Sequence, residues 1–172
     1  MNWQLGTNPF INKAMKTLVL IGAGGFARTL TDIVRQTNQF SDIIYLDDTP
    51  KDGVSGYCSQ YIEYLSDNTE FYPAFSDNIV RQTWIDLLHE KRATIATIVH
   101  HSAYVSPTVQ VADGVAILPG AIVNTGCLLS SGVLVNCGAV IDHDCVVESC
   151  AHIKPRAVVR ALSTITTLTV IE

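Results

Sequence analysis

From Val99 onward the chain repeats itself every six residues. Reading hexads from that point, the first positions are Val99, Val105, Val111, Ile117, Val123, Leu129, Val135, Ile141, Val147, Ile153, Val159 and Ile165, aliphatic in every case. The fifth positions are almost all small or β-branched, and glycine holds the fourth position in five successive hexads, Gly114, Gly120, Gly126, Gly132 and Gly138. A unit this short cannot bury its apolar residue alone, whereas stacked copies can, and that is the logic of a parallel β-helix. Three hexads make one coil of a triangular prism, so residues 18 apart stack about 4.8 Å apart in neighbouring coils. The coils read 99–116, 117–134, 135–152 and 153–170. Cys127 and Cys145 fall 18 apart and are expected inside as reduced thiols.

The first half follows a different rule. Residues 1–15 have neither helical nor strand periodicity and read as an unstructured extension. Lys16 to Ile21 reads as a strand, GAGGFA as a turn and Arg28 to Gln36 as a helix. Asp42 to Leu46 is then a second strand ending in Asp47 and Asp48. A strand over Glu70 to Phe75, a helix over Ile79 to His89 and a last strand near Thr94 to Val99 complete a small parallel sheet. The expected organisation is a Rossmann-like βαβ domain over 16–98 and a β-helix over 99–172.

Gly22, Gly24 and Ala27 fit G-x-G-x-x-A between a strand and a helix, with Asp47 twenty positions beyond Ala27. Backbone N–H groups there would face phosphate. Only about seventy residues separate Ala27 from the repeats, room for one mononucleotide half of a dinucleotide fold. A glycine turn that merely packs helix on strand is the plainer reading.

Within the repeats, AVIDHDCVVESCAHIKP interrupts packing residues with Asp142, His143 and Asp144. A carboxylate accepting from one ring nitrogen would fix the tautomer and raise the basicity of the other, as a general base requires; a solvated histidine in a polar turn is the alternative. Asn136 could orient a substrate or simply form a turn. His152 lies half a coil beyond His143, while His89, His100 and His101 read as surface residues. The five cysteines form no C-x-x-C pair and no zinc-finger spacing, which argues against a metal site. A formal net charge of −5 favours neither nucleic acid nor an anionic membrane as partner, and the apolar run at Leu18 is too short for a span, so a cytoplasmic protein is expected.

GAGGFA, YLDD, FSDN and VNCGAVIDHDCVVESCAHIKP, in that order over residues 16–158, resemble the bacterial sugar O- and N-acetyltransferases, which include sialic acid O-acetyltransferases and UDP-4-amino-sugar or GDP-perosamine N-acetyltransferases. The resemblance implies a left-handed β-helix, a homotrimer with sites between prisms, acetyl-CoA as donor and a nucleotide sugar as acceptor in surface-glycan biosynthesis. It also implies residue roles: His143 as base with Asp142 orienting it, Asn136 at the acceptor, His152 near the acyl donor, and Gly22, Gly24, Asp47 and Asp48 for the nucleotide.

After Ala151 the sequence departs from the glycine-rich pattern of that family. Arg156, Leu162 and Leu168 stand where corner glycines are expected, and the repeats read as shortened. Three readings fit: an acetyltransferase, a catalytically impaired remnant that binds a nucleotide sugar, and a trimeric scaffold.

Overall fold

The computed structural model describes residues 16–37 and 39–172, so the extension expected over 1–15 lies outside the described residues. KTLVLI forms β1 (Lys16–Ile21), whose last four residues are buried, as suits a central parallel strand covered on both faces. α1 (Gly25–Thr37) follows, burying Ala27, Leu30, Ile33 and Val34 along one stripe. β2 (Phe40–Leu46) and β3 (Thr69–Pro73) flank β1 in parallel. A 3₁₀ turn over Cys58–Tyr64, which carries no apolar period to announce it, lies between them. α2 (Asn78–Glu90) begins where Asp77 Oδ1 accepts from the Val80 N–H at 2.9 Å.

The strand expected over Thr94 to Val99 is two strands in different sheets. β4 (Thr94–Ile95) completes the sheet in the order β2-β1-β3-β4, and β5 (Ile98–Val99) begins the prism. Ala96 N–H still bonds the Phe71 carbonyl at 2.8 Å while Ile98 N–H bonds Val115 at 2.9 Å, so the chain changes sheets at Thr97.

From β5 to β17 (Val170–Ile171) two-residue strands recur every sixth residue and stack into three parallel sheets, the arrangement of a left-handed β-helix. Partners are 18 apart, as in Leu128 with Val146 and Ile141 with Val159. The interior is filled by first and fifth hexad positions, from Val115 and Ile117 to Ala157 and Val159. Val99 and Val111 in the first coil keep 38% and 36% exposure because no earlier coil covers them. Cys127 and Cys145 are buried free thiols that donate to the carbonyls of Asp142 at 3.0 Å and Arg160 at 3.1 Å.

The corners require a left-handed backbone. The five glycines at fourth positions have φ between 66° and 73°. The repeat continues through Asp144, Cys150, Arg156, Leu162 and Leu168, which adopt φ between 54° and 65° although each carries a Cβ. Each such residue costs about 1–2 kcal/mol. The same hydrogen bond closes these corners as closes the glycine ones: Asp144 N–H to Thr125 at 2.9 Å and Leu162 N–H to His143 at 3.0 Å.

The two halves share their cores. Leu18, Leu30 and Tyr72 pack in one cluster with Ala116, Leu118 and Leu134 of the prism. α2 runs along one prism corner, with Ile85 against the glycines there. A Cβ added at Gly114 would stand 3.2 Å from Ile85 Cδ1. At the far end of α2, His89 Nε2 lies 2.7 Å from Asp113 Oδ2, and Ser131 Oγ donates to Asp113 Oδ1 at 2.6 Å.

Candidate active site

His143 stands exposed on a prism corner, with its Nδ1 2.8 Å from Asp144 Oδ2. The expectation that Asp142 orients the ring is corrected here. Asp142 Oδ1 accepts instead from the His143 backbone N–H at 2.8 Å and from Asn124 Nδ2 at 3.3 Å, which fixes the turn rather than the imidazole. The reason is the corner itself. Asp144 takes the left-handed position, which Asp tolerates better than most residues, and this carries its carboxylate beside the ring. One coil earlier lies Gly126, and a Cβ added there would overlap Asp144 Oδ1.

The hydrogen bond to Asp144, more than the charge of Asp142 or Asp144, holds the His143 pKa above the ordinary histidine value. A carboxylate on Nδ1 places the ring proton there and leaves the Nε2 lone pair outward. Nε2 makes no hydrogen bond among the described residues. This is a base presented to solvent.

His152, on β14 (His152–Ile153), has the opposite surroundings. It is buried, and its Nε2 lies 3.0 Å from Asn136 Nδ2. The amide N–H₂ can only donate, so Nε2 accepts and the ring proton sits on Nδ1. Burial first, then the charges of Arg81 and Lys154, push its pKa down to about 4. Asn136 is held in turn by its Oδ1, which accepts from the Cys137 N–H at 2.8 Å. Asn136 and His152 thus form one unit, away from His143. His152 lines an open cleft of about 590 Å³ with Ser76, Asp77, Asn78, Ile79 and Lys154. His143 does not line it.

In the N-terminal half, Gly22 takes φ 96° and a Cβ there would meet the Phe75 ring at 3.0 Å, so the turn requires glycine. Gly24 faces open space, with nothing within 4 Å of an added Cβ. Asp47 Oδ2 accepts from the Ala23 N–H at 2.8 Å and from Lys51 Nζ at 2.8 Å, and Asp47 Oδ1 accepts from the Thr49 N–H at 2.8 Å. Burial pushes its carboxyl up, but Lys51 and those two N–H groups outweigh burial and hold it at about 2. Asp48 Oδ1 accepts from the Cys58 N–H at 2.9 Å. Asp47 therefore ties down the glycine loop while Asp48 holds the start of the 3₁₀ turn at Cys58, and a shallow pocket of about 200 Å³ between Asp47, Lys51 and Tyr57 opens beside them.

Sequence reasoning missed Asp144 as the ring's partner, although it stands beside His143 in the chain. It also missed Arg81, which is fully buried on α2; a cation on the apolar face of a helix was the available signal. His100, expected at the surface, is buried with Nδ1 2.7 Å from Ser102 Oγ.

Comparison with known proteins begins with the PglD N-terminal domain family, which matches residues 17–88. No match was found among curated proteins. Among solved structures, the acetyltransferase domain of PglB from Neisseria gonorrhoeae FA1090 is 28% identical over 83% of this chain and 73% of that one, with a TM-score of 0.79. The same domain has been solved with acetyl coenzyme A. A histidine-to-asparagine mutant of perosamine N-acetyltransferase from Caulobacter crescentus, in complex with CoA and GDP-perosamine, is 25% identical over 91% of this chain and 77% of that one, with a TM-score of 0.80. WeeI from Acinetobacter baumannii AYE shares the fold, with a TM-score of 0.75 at 19% identity over 84% of this chain and 72% of that one. These likenesses run through both halves in order, and the N-terminal half is matched independently, so over most of its length the chain is similar to bacterial sugar acetyltransferases built on a left-handed β-helix.

Proposed function

We propose that the protein transfers the acetyl group of acetyl-CoA to an amine or hydroxyl of a sugar, nucleotide-linked or free, in the cytoplasmic synthesis of a bacterial surface glycan. The observation that carries this reading is the His143–Asp144 pair, with Nδ1 engaged at 2.8 Å and Nε2 outward. Nε2 removes the proton from the acceptor amine or hydroxyl as its nitrogen or oxygen attacks the thioester carbonyl carbon. The carbonyl electrons move to oxygen, where backbone N–H groups stabilise the charge. They then return as the C–S bond breaks, and the CoA thiolate takes up the proton held by His143.

The remaining roles follow from the surroundings. His152, neutral and tied to Asn136, suits the thioester end of the donor, with Nδ1–H as the group to meet a carbonyl oxygen. Asn136 stands at the acceptor. Gly22 and Gly24 give a glycine turn open to phosphate, with Asp47 and Asp48 holding the loop that receives the nucleotide. His143 does not line the cleft beside His152, so a complete site needs a second prism, and a homotrimer supplies one. Support for association comes from the outward column Tyr104, Ile122 and Val158, which is exposed on one prism sheet. No helix among the described residues is long and apolar enough to cross a membrane.

The test is calorimetric titration of acetyl-CoA into the protein, with His143→Ala alongside. Micromolar binding by both supports a donor site that does not depend on the base. No heat at millimolar acetyl-CoA contradicts the acetyltransferase reading and favours a nucleotide-sugar-binding protein.

A further inference from the structure

In each coil the carbonyl at the left-handed corner accepts no backbone hydrogen bond from the described residues, because the ladder uses the carbonyls around it. At the corner faced by α2, three such residues, Gly132, Cys150 and Leu168, stack 18 apart. Side chains from the first turns of α2 supply all three with donors. Arg81 Nε donates to the Gly132 carbonyl at 2.8 Å and Arg81 Nη2 to Cys150 at 2.8 Å. Asn78 Nδ2 donates to Leu168 at 2.8 Å, and its Oδ1 accepts from Arg81 Nη2 at 2.7 Å. Nη1 turns back to the carbonyl of Phe75 at 2.9 Å, in the loop that leads into the helix.

The fit is one of pitch. A helix rises about 4.5 Å over three residues, and coils stack about 4.8 Å apart, so side chains three apart on α2 meet successive coils. A guanidinium suits this task because its rigid fork can reach two coils at once. Arg81 is 0% exposed and has no carboxylate within ion-pair distance among the described residues. A buried cation compensated only by carbonyl and amide oxygens is an expensive way to stabilise a fold that already shares an apolar core. It does fix where the Phe75–Ile79 segment sits along the prism axis, and that segment is the wall facing His152 in the 590 Å³ cleft.

We propose that Asn78 and Arg81 are positioning residues for acetyl transfer, a clamp across three coils that sets the distance between the α2 wall and the coil carrying His152. The proposal rests on the reading of His152 as the donor-side residue. Lysine at position 81 keeps the charge but reaches one coil, and Asn78→Ala releases the third coil and one Arg81 hydrogen bond while keeping those of Arg81 to Gly132 and Cys150.

The experiment measures kcat and KM for acetyl-CoA by CoA release, over UDP- and GDP-amino sugars, in the parent protein, Arg81→Lys and Asn78→Ala. It also measures hydrogen exchange at residues 75–79. The clamp predicts variants that melt cooperatively, with KM for acetyl-CoA raised by about tenfold and kcat less affected, as a displaced wall would give. It also predicts faster exchange at 75–79. A purely structural role lowers the active fraction, so kcat would fall with KM unchanged, and that result overturns the proposal. So does unchanged kinetics with unchanged exchange. Should the parent protein release no CoA, the acetyltransferase reading fails by itself, and the exchange arm still decides whether the clamp sets the wall. Arg81→Lys failing to fold leaves Asn78→Ala, which removes the Leu168 and Thr169 contacts and one acceptor of Arg81 but keeps the Arg81 bonds to Gly132 and Cys150, to decide.

Discussion

Burial of His152 beside two cations makes stability depend on pH in a way that can be worked out. Its ring keeps the neutral form down to about 4, whereas in the unfolded chain it protonates near the ordinary value of 6.5. Between those values the unfolded state binds more protons, so stability falls as pH drops from about 6.5 towards 4. At about 1.4 kcal/mol per pH unit the full effect is between about 3 and 4 kcal/mol, of which about 2 kcal/mol falls between pH 7 and pH 5. His152→Gln offers Asn136 an amide oxygen in place of Nε2 and does not titrate. Urea unfolding of both proteins, at equal concentration and at pH 7, 6 and 5, isolates the histidine, because every other group is common to the pair. The parent protein should lose about 2 kcal/mol more than the variant over this range. Parallel losses in the two proteins would mean that His152 protonates freely in the folded state, and the neutral, Asn136-tied ring would be wrong.

Three further outcomes are expected. Asp144→Asn replaces the carboxylate on Nδ1 with a neutral amide and so weakens the bond that raises the His143 pKa; the acid limb of kcat/KM should move to lower pH while the rate falls about 10- to 100-fold, and an unmoved limb would exclude Asp144 as the ring's partner. Gly126→Ala places a Cβ against Asp144 Oδ1 in a left-handed position, and should cost about 1–2 kcal/mol in denaturant unfolding while lowering activity in the fraction that remains folded. Leu162→Gly relieves φ 62° at a side chain that is 75% exposed, so little packing is lost. The relief of about 1–2 kcal/mol, less about 0.5–1 kcal/mol of added chain entropy, should raise Tm by about 2 °C in a thermal scan.

The repeat was legible because its aliphatic period is a packing requirement that every coil must meet, and the interior follows it from Ile117 to Val159. The departures after Ala151 were harder to read. Glycine at a corner announces a left-handed backbone, but Arg156, Leu162 and Leu168 adopt the same backbone without announcing it, held by the stacked coil before them. In the first half β1, β3 and both helices follow their apolar patterns, whereas the split of Thr94 to Val99 between two sheets depends on which neighbour each amide meets. At the site, His143 and its flanking acids were visible as an interruption of packing residues. Which acid faces the ring was not, since Asp142 and Asp144 are equivalent in sequence and differ only in backbone conformation. The role of Arg81 depends on carbonyls 51 and 69 residues away, a relation no local pattern contains.

The central claim, that His143 held by Asp144 is the base of an acetyl transfer, is tested most directly by single-turnover CoA release. The parent protein and His143→Ala would be compared with saturating acetyl-CoA and an amino-sugar nucleotide that the parent protein acetylates. The rate should fall by about 10²- to 10⁴-fold in the variant, with the affinity for acetyl-CoA unchanged. A variant that transfers acetyl at the parent rate would contradict the claim and move the base to another residue.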